Sequence, residues 1–385
     1  MFKILNSCAL IIIFWYIIKL SNENPILKYK KYIKICRDEH FFIQQYNERP
    51  DYIFISICLP AYNMEKYIKS SLLSIINQSF NFLEIVIVND NSNDNTKNII
   101  EQMQSFDKRI KLINHSKNLG VYSSRADAIL NSNGKYILLM DPDDIIMNQD
   151  IIFELYNYNY KYNLDIIEFL VFHQKEGKTN IIFPKDHTLS HYHNFKKNII
   201  KQPELSNIIF YNRNSNEYSW IICRTIWNKL IRKEILLNSI KYLNNDYFKN
   251  QFLIAADDTP INILAFQFAN NYSNINIPGY LYILRENGMS SDNKGNLKHD
   301  VILSYNFLLY FKFLLKYVRK FNKDINFFLY DFKKFSIYLL KLKDANATEY
   351  IPSVRAFFKT ILKKNISEQF KKFVNELMDY FSESK

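Results

Sequence analysis

Apolar residues in the first half of the chain fall into short solid runs separated by stretches with helical spacing. Residues 52–59 form the first run and stop at Pro60, which predicts a strand. Residues 64–77 carry Ile68, Leu72, Leu73, Ile75 and Ile76 on one face, which predicts a helix. Strands follow over 82–88, 109–114 and 135–140, with helices over 96–103 and 119–131 between them. Strands that alternate with helices predict parallel βαβ units in an α/β fold. Right-handed crossovers then place every strand exit on one edge of the sheet. That edge collects the Pro60-Ala61-Tyr62-Asn63 turn, the Asn89-Asp90 turn and the acids Asp141, Asp143 and Asp144 behind the fourth strand.

Three carboxylates at one strand exit repel one another unless a cation neutralises them. Open α/β sheets bind ligands at the carboxyl ends of their strands. The pattern therefore proposes a metal-assisted site for a phosphate-bearing ligand, and the alternative is a solvated acidic turn closed by Pro142. Neither GxGxxG nor GxxxxGK[ST] occurs, which disfavours a dinucleotide site or a P-loop. A nucleotide held by carboxylates and a metal remains.

Residues 4–20 form an apolar run broken by Asn6, Ser7 and Lys19. As a helix it spans about 25 Å, just short of a ~30 Å hydrocarbon core, and Trp15, Tyr16 and Lys19 extend its reach at one interface. The segment after it fits a cleavage site poorly, so an uncleaved signal-anchor is expected, followed by a charged stalk. Basic residues behind the run would leave the bulk of the chain in the cytosol. Sequons at Asn77, Asn114, Asn271, Asn346 and Asn365 are near chance in a chain so rich in Asn, and the side of the membrane stays open.

The four cysteines are scattered, which argues against a zinc site and a disulfide framework. His187, His191 and His193 have a spacing that could hold zinc, but a polar loop is the stronger expectation. Of the net charge of +12, about +8 lies in residues 298–385, where helices with apolar faces are expected over 307–320 and 326–342. These could cover the domain, lie on a membrane or pack on a partner. No recognition motif accompanies the basic tail, so nucleic acid is not expected as a partner.

In order and spacing, the motifs resemble those of glycosyltransferase family 2, whose catalytic domain has the GT-A fold. The resemblance rests on Leu59-Pro60-Ala61-Tyr62-Asn63, Asn89-Asp90-Asn91-Ser92-Asn93-Asp94, Asn118-Leu119-Gly120 with Arg125, Gly134-Lys135-Tyr136-Ile137, and Asp141-Pro142-Asp143-Asp144. Trp227-Asn228-Lys229-Leu230, Ala256-Asp257-Asp258 and the Tyr280-Leu281-Tyr282…Arg285…Ser290 strand extend it over roughly residues 53–290. It implies a GT-A, Rossmann-like, mostly parallel sheet flanked by helices over 51–290, with a nucleotide-sugar half at 51–150 and an acceptor half at 151–290. Around this would lie the transmembrane signal-anchor at 1–20, the stalk at 21–50 and a C-terminal helical region at 291–385.

The resemblance further implies an inverting transferase that takes a nucleotide-diphospho-sugar, a UDP-sugar above others, to a glycan or glycolipid hydroxyl. Asp143 and then Asp144 would hold a divalent cation, Mn²⁺ or Mg²⁺, with Asp141 at the ribose or the metal's water. Pro60, Tyr62, Asn63, Asn89, Asp90 and Arg125 would line the donor, although Arg125 could equally make a structural ion pair. Asp258 would be the general base, with Asp257 as its alternative, and one of the two is expected to cap the helix that follows. Trp220 would stack on an acceptor sugar, whereas Trp227 is expected in the core. The family turn has Asp where this chain has Asn89, and its Gly is Asn91, which tolerates the left-handed conformation. No Gln-x-x-Arg-Trp motif occurs. A single-pass membrane protein of the Golgi or ER is the matching location. A dolichyl- or polyprenyl-phosphate sugar transferase and a catalytically degenerate GT-A binding protein are the alternatives.

Overall fold

The computed structural model describes residues 53–182, 199–208, 211–212, 217–218, 225–246, 248–254, 257–285, 297–323, 351–363 and 368–380, with positions 328, 332 and 336. The expected anchor, the stalk, Trp220 and the three histidines at 187, 191 and 193 fall outside these residues.

The first half is built as the apolar pattern predicts. It runs β1 (Ile55–Ala61), α1 (Ile68–Ile76), β2 (Leu83–Asn89), α2 (Thr96–Phe106), β3 (Ile110–Asn114), α3 (Val121–Leu130) and β4 (Tyr136–Leu139). Every residue of β1, β2 and β4 is buried, as expected for parallel strands covered on both faces. Helix α1 starts four residues later than its apolar face suggests. Asn63 is left-handed at φ 53°, and the Tyr67 and Ile68 N–H groups both bond to the Met64 carbonyl, so residues 64–67 form a turn.

The chain continues through β5 (Ile145–Ile146), α4 (Ile151–Tyr162), β6 (Ile166–Lys175), β7 (Ile181–Ile182), β8 (Ile200–Lys201), α5 (Glu204–Ile208), β9 (Tyr211–Asn212) and β10 (Glu217–Tyr218). It then forms β11 (Lys229–Arg232), α6 (Lys233–Asp246), α7 (Asp258–Phe268), β12 (Asn271–Leu284), α8 (Leu297–Lys320), α9 (Ile351–Leu362) and α10 (Glu368–Tyr380). The main sheet has the order β3-β2-β1-β4-β11-β6-β12-β5, with β7 on β6 and β8 on β12. It is mixed, which corrects the expectation of a mostly parallel sheet. Strand β11 runs antiparallel to both β4 and β6, and β5 antiparallel to β12. Strand β11 has four residues, Lys229-Leu230-Ile231-Arg232, too few for the sequence to signal its direction.

Residues on alternate sides of the strands divide the core in two. Ile57 and Leu59 of β1 join Leu72, Ile100 and Leu155 on one face. Cys58 joins Ala126, Leu236 and Leu264 on the other. The second cluster continues without a break into Phe311 and Leu314 of α8, Phe358 of α9 and Val374 of α10. The described C-terminal helices therefore pack on the α/β domain. Val301–Lys320 is long and apolar enough to cross a membrane, but 61% of its apolar window is buried against protein.

Candidate active site

Levelled strand ends create the site. Ala61 lies opposite Asn89 in the sheet, and Asn89 opposite Asn114, so the first two predicted turns leave from adjacent positions. They are fastened together by side chains. Asn63 N–H donates to Ser92 Oγ at 3.1 Å, and Asn63 Oδ1 accepts from Asn93 N–H at 2.9 Å. Thr96 Oγ1 accepts from Met64 N–H at 2.6 Å, and Asp94 from Glu65 N–H at 3.0 Å. Asn91 adopts φ 58°, the left-handed state the sequence anticipated. Pro60 is buried within β1, and Tyr62 is exposed beyond its end.

Asn89 and Asp90, expected on the nucleotide, both make hydrogen bonds within the protein. Both are 3% exposed. Asn89 donates to Asn114 Oδ1 at 2.9 Å and accepts from Ser92 N–H at 3.2 Å. Asp90 accepts the N–H groups of Leu119 and Gly120 at 2.8 Å each, and lies 2.7 Å from His115 Nδ1. The Asn118-Leu119-Gly120 motif is thus anchored to β2 by a buried carboxylate.

Gly120 carries that anchorage onward. At φ 87° and ψ 165° it approaches Leu253 so closely that a Cβ would lie 2.5 Å from the Leu253 carbonyl oxygen. The same oxygen accepts Val121 N–H at 2.7 Å. From the other side, Asn306 of α8, 1% exposed, donates to the Phe252 carbonyl at 3.1 Å and accepts Ile254 N–H at 3.0 Å. The approach to Asp257 and Asp258 is therefore gripped between α3 and α8.

Arg125 joins the two acidic motifs. It is 6% exposed, with Nη1 at 2.5 Å from Asp257 and Nη2 at 2.7 Å from Asp141. Of the two roles foreseen for it, the ion pair is the one present. Burial works against its charge, but Asp257, Asp141 and Asp258 outweigh it and raise its pKa. Asp257 occupies the N-cap position of α7 without a side-chain capping bond, because its carboxylate turns to Arg125. Asp258 is half-buried and accepts Thr259 N–H at 2.8 Å.

The three acids behind β4 do not converge. Asp144 is fully buried, accepting Tyr280 Oη–H at 2.7 Å and Ile283 N–H at 2.8 Å. Tyr280 Oη in turn accepts Asp141 N–H at 3.1 Å. Asp144, expected as a second metal ligand, is held as a strut between the site and β12. Burial, then Asp143 and Asp141, push its pKa upward. Trp227 stacks on Tyr280 at 4.6 Å and on Tyr282 at 5.5 Å, in the core as expected. Asp143 pairs with Arg285 at 2.5 Å, and Arg285 lies 5.1 Å over the Tyr67 ring.

Among the described residues, no three His, Cys, Asp or Glu side chains are placed to hold a metal ion. A nucleotide-bound cation needs fewer, since it takes one or two carboxylates plus phosphate oxygens. Asp143 fits that requirement, and Asp141 lies near enough to perturb it. Burial, then Asp141, push the Asp143 carboxyl up to about 6 against the pull of Arg285. Such repulsion is what a bound cation relieves.

Sequence reasoning did not place Tyr280, Arg285, Asn306 or His115 in the site. The sequence marks Tyr280 and Arg285 only as part of a closing strand, and the partners of all four lie far along the chain.

The sequence model described as Glycosyl transferase family 2 matches residues 56–258, more than half of the chain. An uncharacterized glycosyltransferase of Haemophilus influenzae is 44% identical over 91 residues, covering 24% of this chain and 28% of that protein. EpsJ of Bacillus subtilis, an uncharacterized glycosyltransferase, is 26% identical over 234 residues, covering 60% and 61%. The chain thus spans under two thirds of the length of these relatives. The crystal structure of residues 1–349 of S. aureus TarS in complex with UDP-GlcNAc aligns with a TM-score of 0.50 at 21% identity. That alignment covers 80% of this chain and 81% of the TarS 1–349 chain, and shows the shared GT-A-like fold.

Proposed function

The chain belongs to glycosyl transferase family 2, and from that membership we propose an inverting transfer of sugar from a nucleotide diphosphate, a UDP-sugar first, to a glycan or glycolipid hydroxyl. The observation that carries the proposal is Arg125. It ties the strand-exit acid Asp141 to Asp257 and so holds a donor-side acid and the acidic pair in one buried array.

With Asp257 committed to Arg125, Asp258 is the member of the pair assigned as base. It takes the proton of the acceptor hydroxyl as that oxygen attacks the anomeric carbon. The bond to the diphosphate breaks on the opposite face, and the departing nucleoside diphosphate keeps the electron pair. A divalent cation, Mn²⁺ or Mg²⁺, held by Asp143 with Asp141 would supply neutralising charge to the departing diphosphate. Tyr62 and Asn63 stand at the donor edge, and Trp220 is assigned to the acceptor. TarS holds UDP-GlcNAc on the same fold, which shows what the fold accepts without choosing among donors.

The Asn89 departure does not weaken this proposal, because its amide holds a turn and needs no charge there. Membrane attachment rests on residues 1–20 alone. The two relatives described are bacterial, so they lend no support to the Golgi or ER.

The test is thermal stabilisation by UDP, GDP, UDP-glucose, UDP-galactose, UDP-N-acetylglucosamine and GDP-mannose, with Mn²⁺ or EDTA, beside Asp143→Ala. Stabilisation by one nucleotide family with Mn²⁺, lost in the variant, is expected. No shift with any nucleotide in a folded protein would overturn the proposal.

A further inference from the structure

Next to the strand-exit acids lies a cavity of about 230 Å³. It lies between the entry to α1, with Lys66, Tyr67 and Ser70, and the turn after β6, with Lys175, Glu176 and Lys178, and Asp143 forms part of its wall. Its two acids are already matched. Asp143 pairs with Arg285 at 2.5 Å, and Glu176 accepts the Tyr67 hydroxyl at 2.8 Å. Its three lysines have no ion partner among the described residues. Three lysines and two carboxylates line the cavity, and Arg285, paired with Asp143, adds a fourth cation beside it. A concave site with an excess of one sign of charge attracts counter-ions. A lysine ammonium binds phosphate as a point charge without demanding a fixed geometry.

We propose that this cavity is a subsite for a phosphate group on the acceptor, distinct from the donor's diphosphate. The inference rests on the transferase reading above and narrows its acceptor to a phosphate-bearing molecule, either soluble or carried on a lipid headgroup. Placement supports it. The cavity opens beside Asp143, and Asp143 is two residues from the Asp141 that Arg125 links to the acidic pair. A phosphate bound here anchors the acceptor at the rim of the donor site through a remote group, leaving its hydroxyl to reach the base. The lysines come from segments far apart in sequence, so the cluster exists only in the fold.

The experiment titrates the full chain, with UDP present, against glycerol 3-phosphate, and separately against phosphatidylcholine vesicles with and without phosphatidic acid. The Lys175→Glu/Lys178→Glu variant is measured in parallel. A dissociation constant raised tenfold or more in the variant, with UDP binding unchanged, is expected. An effect with glycerol 3-phosphate supports a soluble phosphate acceptor, and one confined to phosphatidic acid vesicles supports a lipid headgroup. Equal binding by both proteins, or no anion binding by the unmodified chain, overturns the subsite. Loss of UDP binding in the variant also overturns it, because the cavity would then serve the donor. Failure of UDP to bind the unmodified chain sinks the transferase reading instead, so the two failures are distinguishable.

Discussion

Replacing Gly120 by alanine tests the link between α3 and the acidic pair. At φ 87° and ψ 165° the residue occupies a region open essentially to glycine, and any side chain there costs about 1–3 kcal/mol. The added Cβ would also lie 2.5 Å from the Leu253 carbonyl oxygen and 2.9 Å from its nitrogen. Both are backbone atoms and cannot swing aside, so the segments must part by close to ~1 Å to reach ordinary contact. The Val121 N–H bond to Leu253 is then stretched or lost, at about 1 kcal/mol. The expected destabilisation is about 2–4 kcal/mol, read by urea unfolding. Gly177→Ala is the control. It has positive φ as well, 70°, but nothing within 4 Å of the added Cβ, so about 1–2 kcal/mol is expected. Because Leu253 leads into Asp257, a displacement of this size is also expected to cost about 100-fold in turnover of whichever nucleotide sugar stabilises the protein. A Gly120→Ala variant no less stable than Gly177→Ala, with turnover intact, would refute the reasoning.

Three further outcomes are expected. Asp143→Asn should raise stability at pH 7 while lowering turnover. The Asp143 carboxyl is lifted from 3.8 to about 6, so the native state holds that proton more tightly than the unfolded chain does. Its contribution is fully present below about pH 4 and lost as pH rises through 6. At about 1.4 kcal/mol per pKa unit, the gain in the variant has a ceiling of about 3 kcal/mol, reduced by the loss of the Arg285 pair, and it vanishes toward pH 4. A variant less stable than the parent at pH 7 contradicts this sign. Tyr280→Phe should cost about 1–3 kcal/mol in urea unfolding, because Asp144 and the Asp141 N–H each lose a buried partner while the Trp227 stack survives. A wild-type midpoint would show that Asp144 needs no hydroxyl. Asn306→Leu should lower kcat about tenfold with UDP affinity unchanged, since Asn306 grips the segment before Asp257 and not the donor edge. Equal losses in kcat and UDP affinity would make it a folding residue only.

What was legible in the sequence depended on how local the signal was. Strands β1, β2 and β4 announce themselves as solid apolar runs because both of their faces are covered. The alternation with α1, α2 and α3 follows from a helical period in the intervening segments. Asn91 could be assigned its left-handed turn because asparagine tolerates that backbone. Trp227 could be expected in the core as a large aromatic side chain. These readings use neighbours within a few residues, which the sequence displays directly.

The roles of the polar site residues did not follow from their motifs. Asn89, Asp90 and Asp144 occupy recognisable positions, yet each carboxylate or amide is consumed by a partner that the chain brings from elsewhere. Asp144 finds Tyr280 and Ile283, and Asp90 finds the N–H groups of Leu119 and Gly120. The direction of β11 was equally silent, because a short buried strand looks the same either way. By itself the sequence determined a βαβ frame, the edge on which its turns meet and the acidic motifs placed there. Tertiary structure decided which acids stay at the site and which become struts, and it assembled Arg125, Arg285 and Asn306 around them. The physical reason is that a buried charge or amide must find a partner at hydrogen-bond distance, and only the folded chain specifies which group lies there.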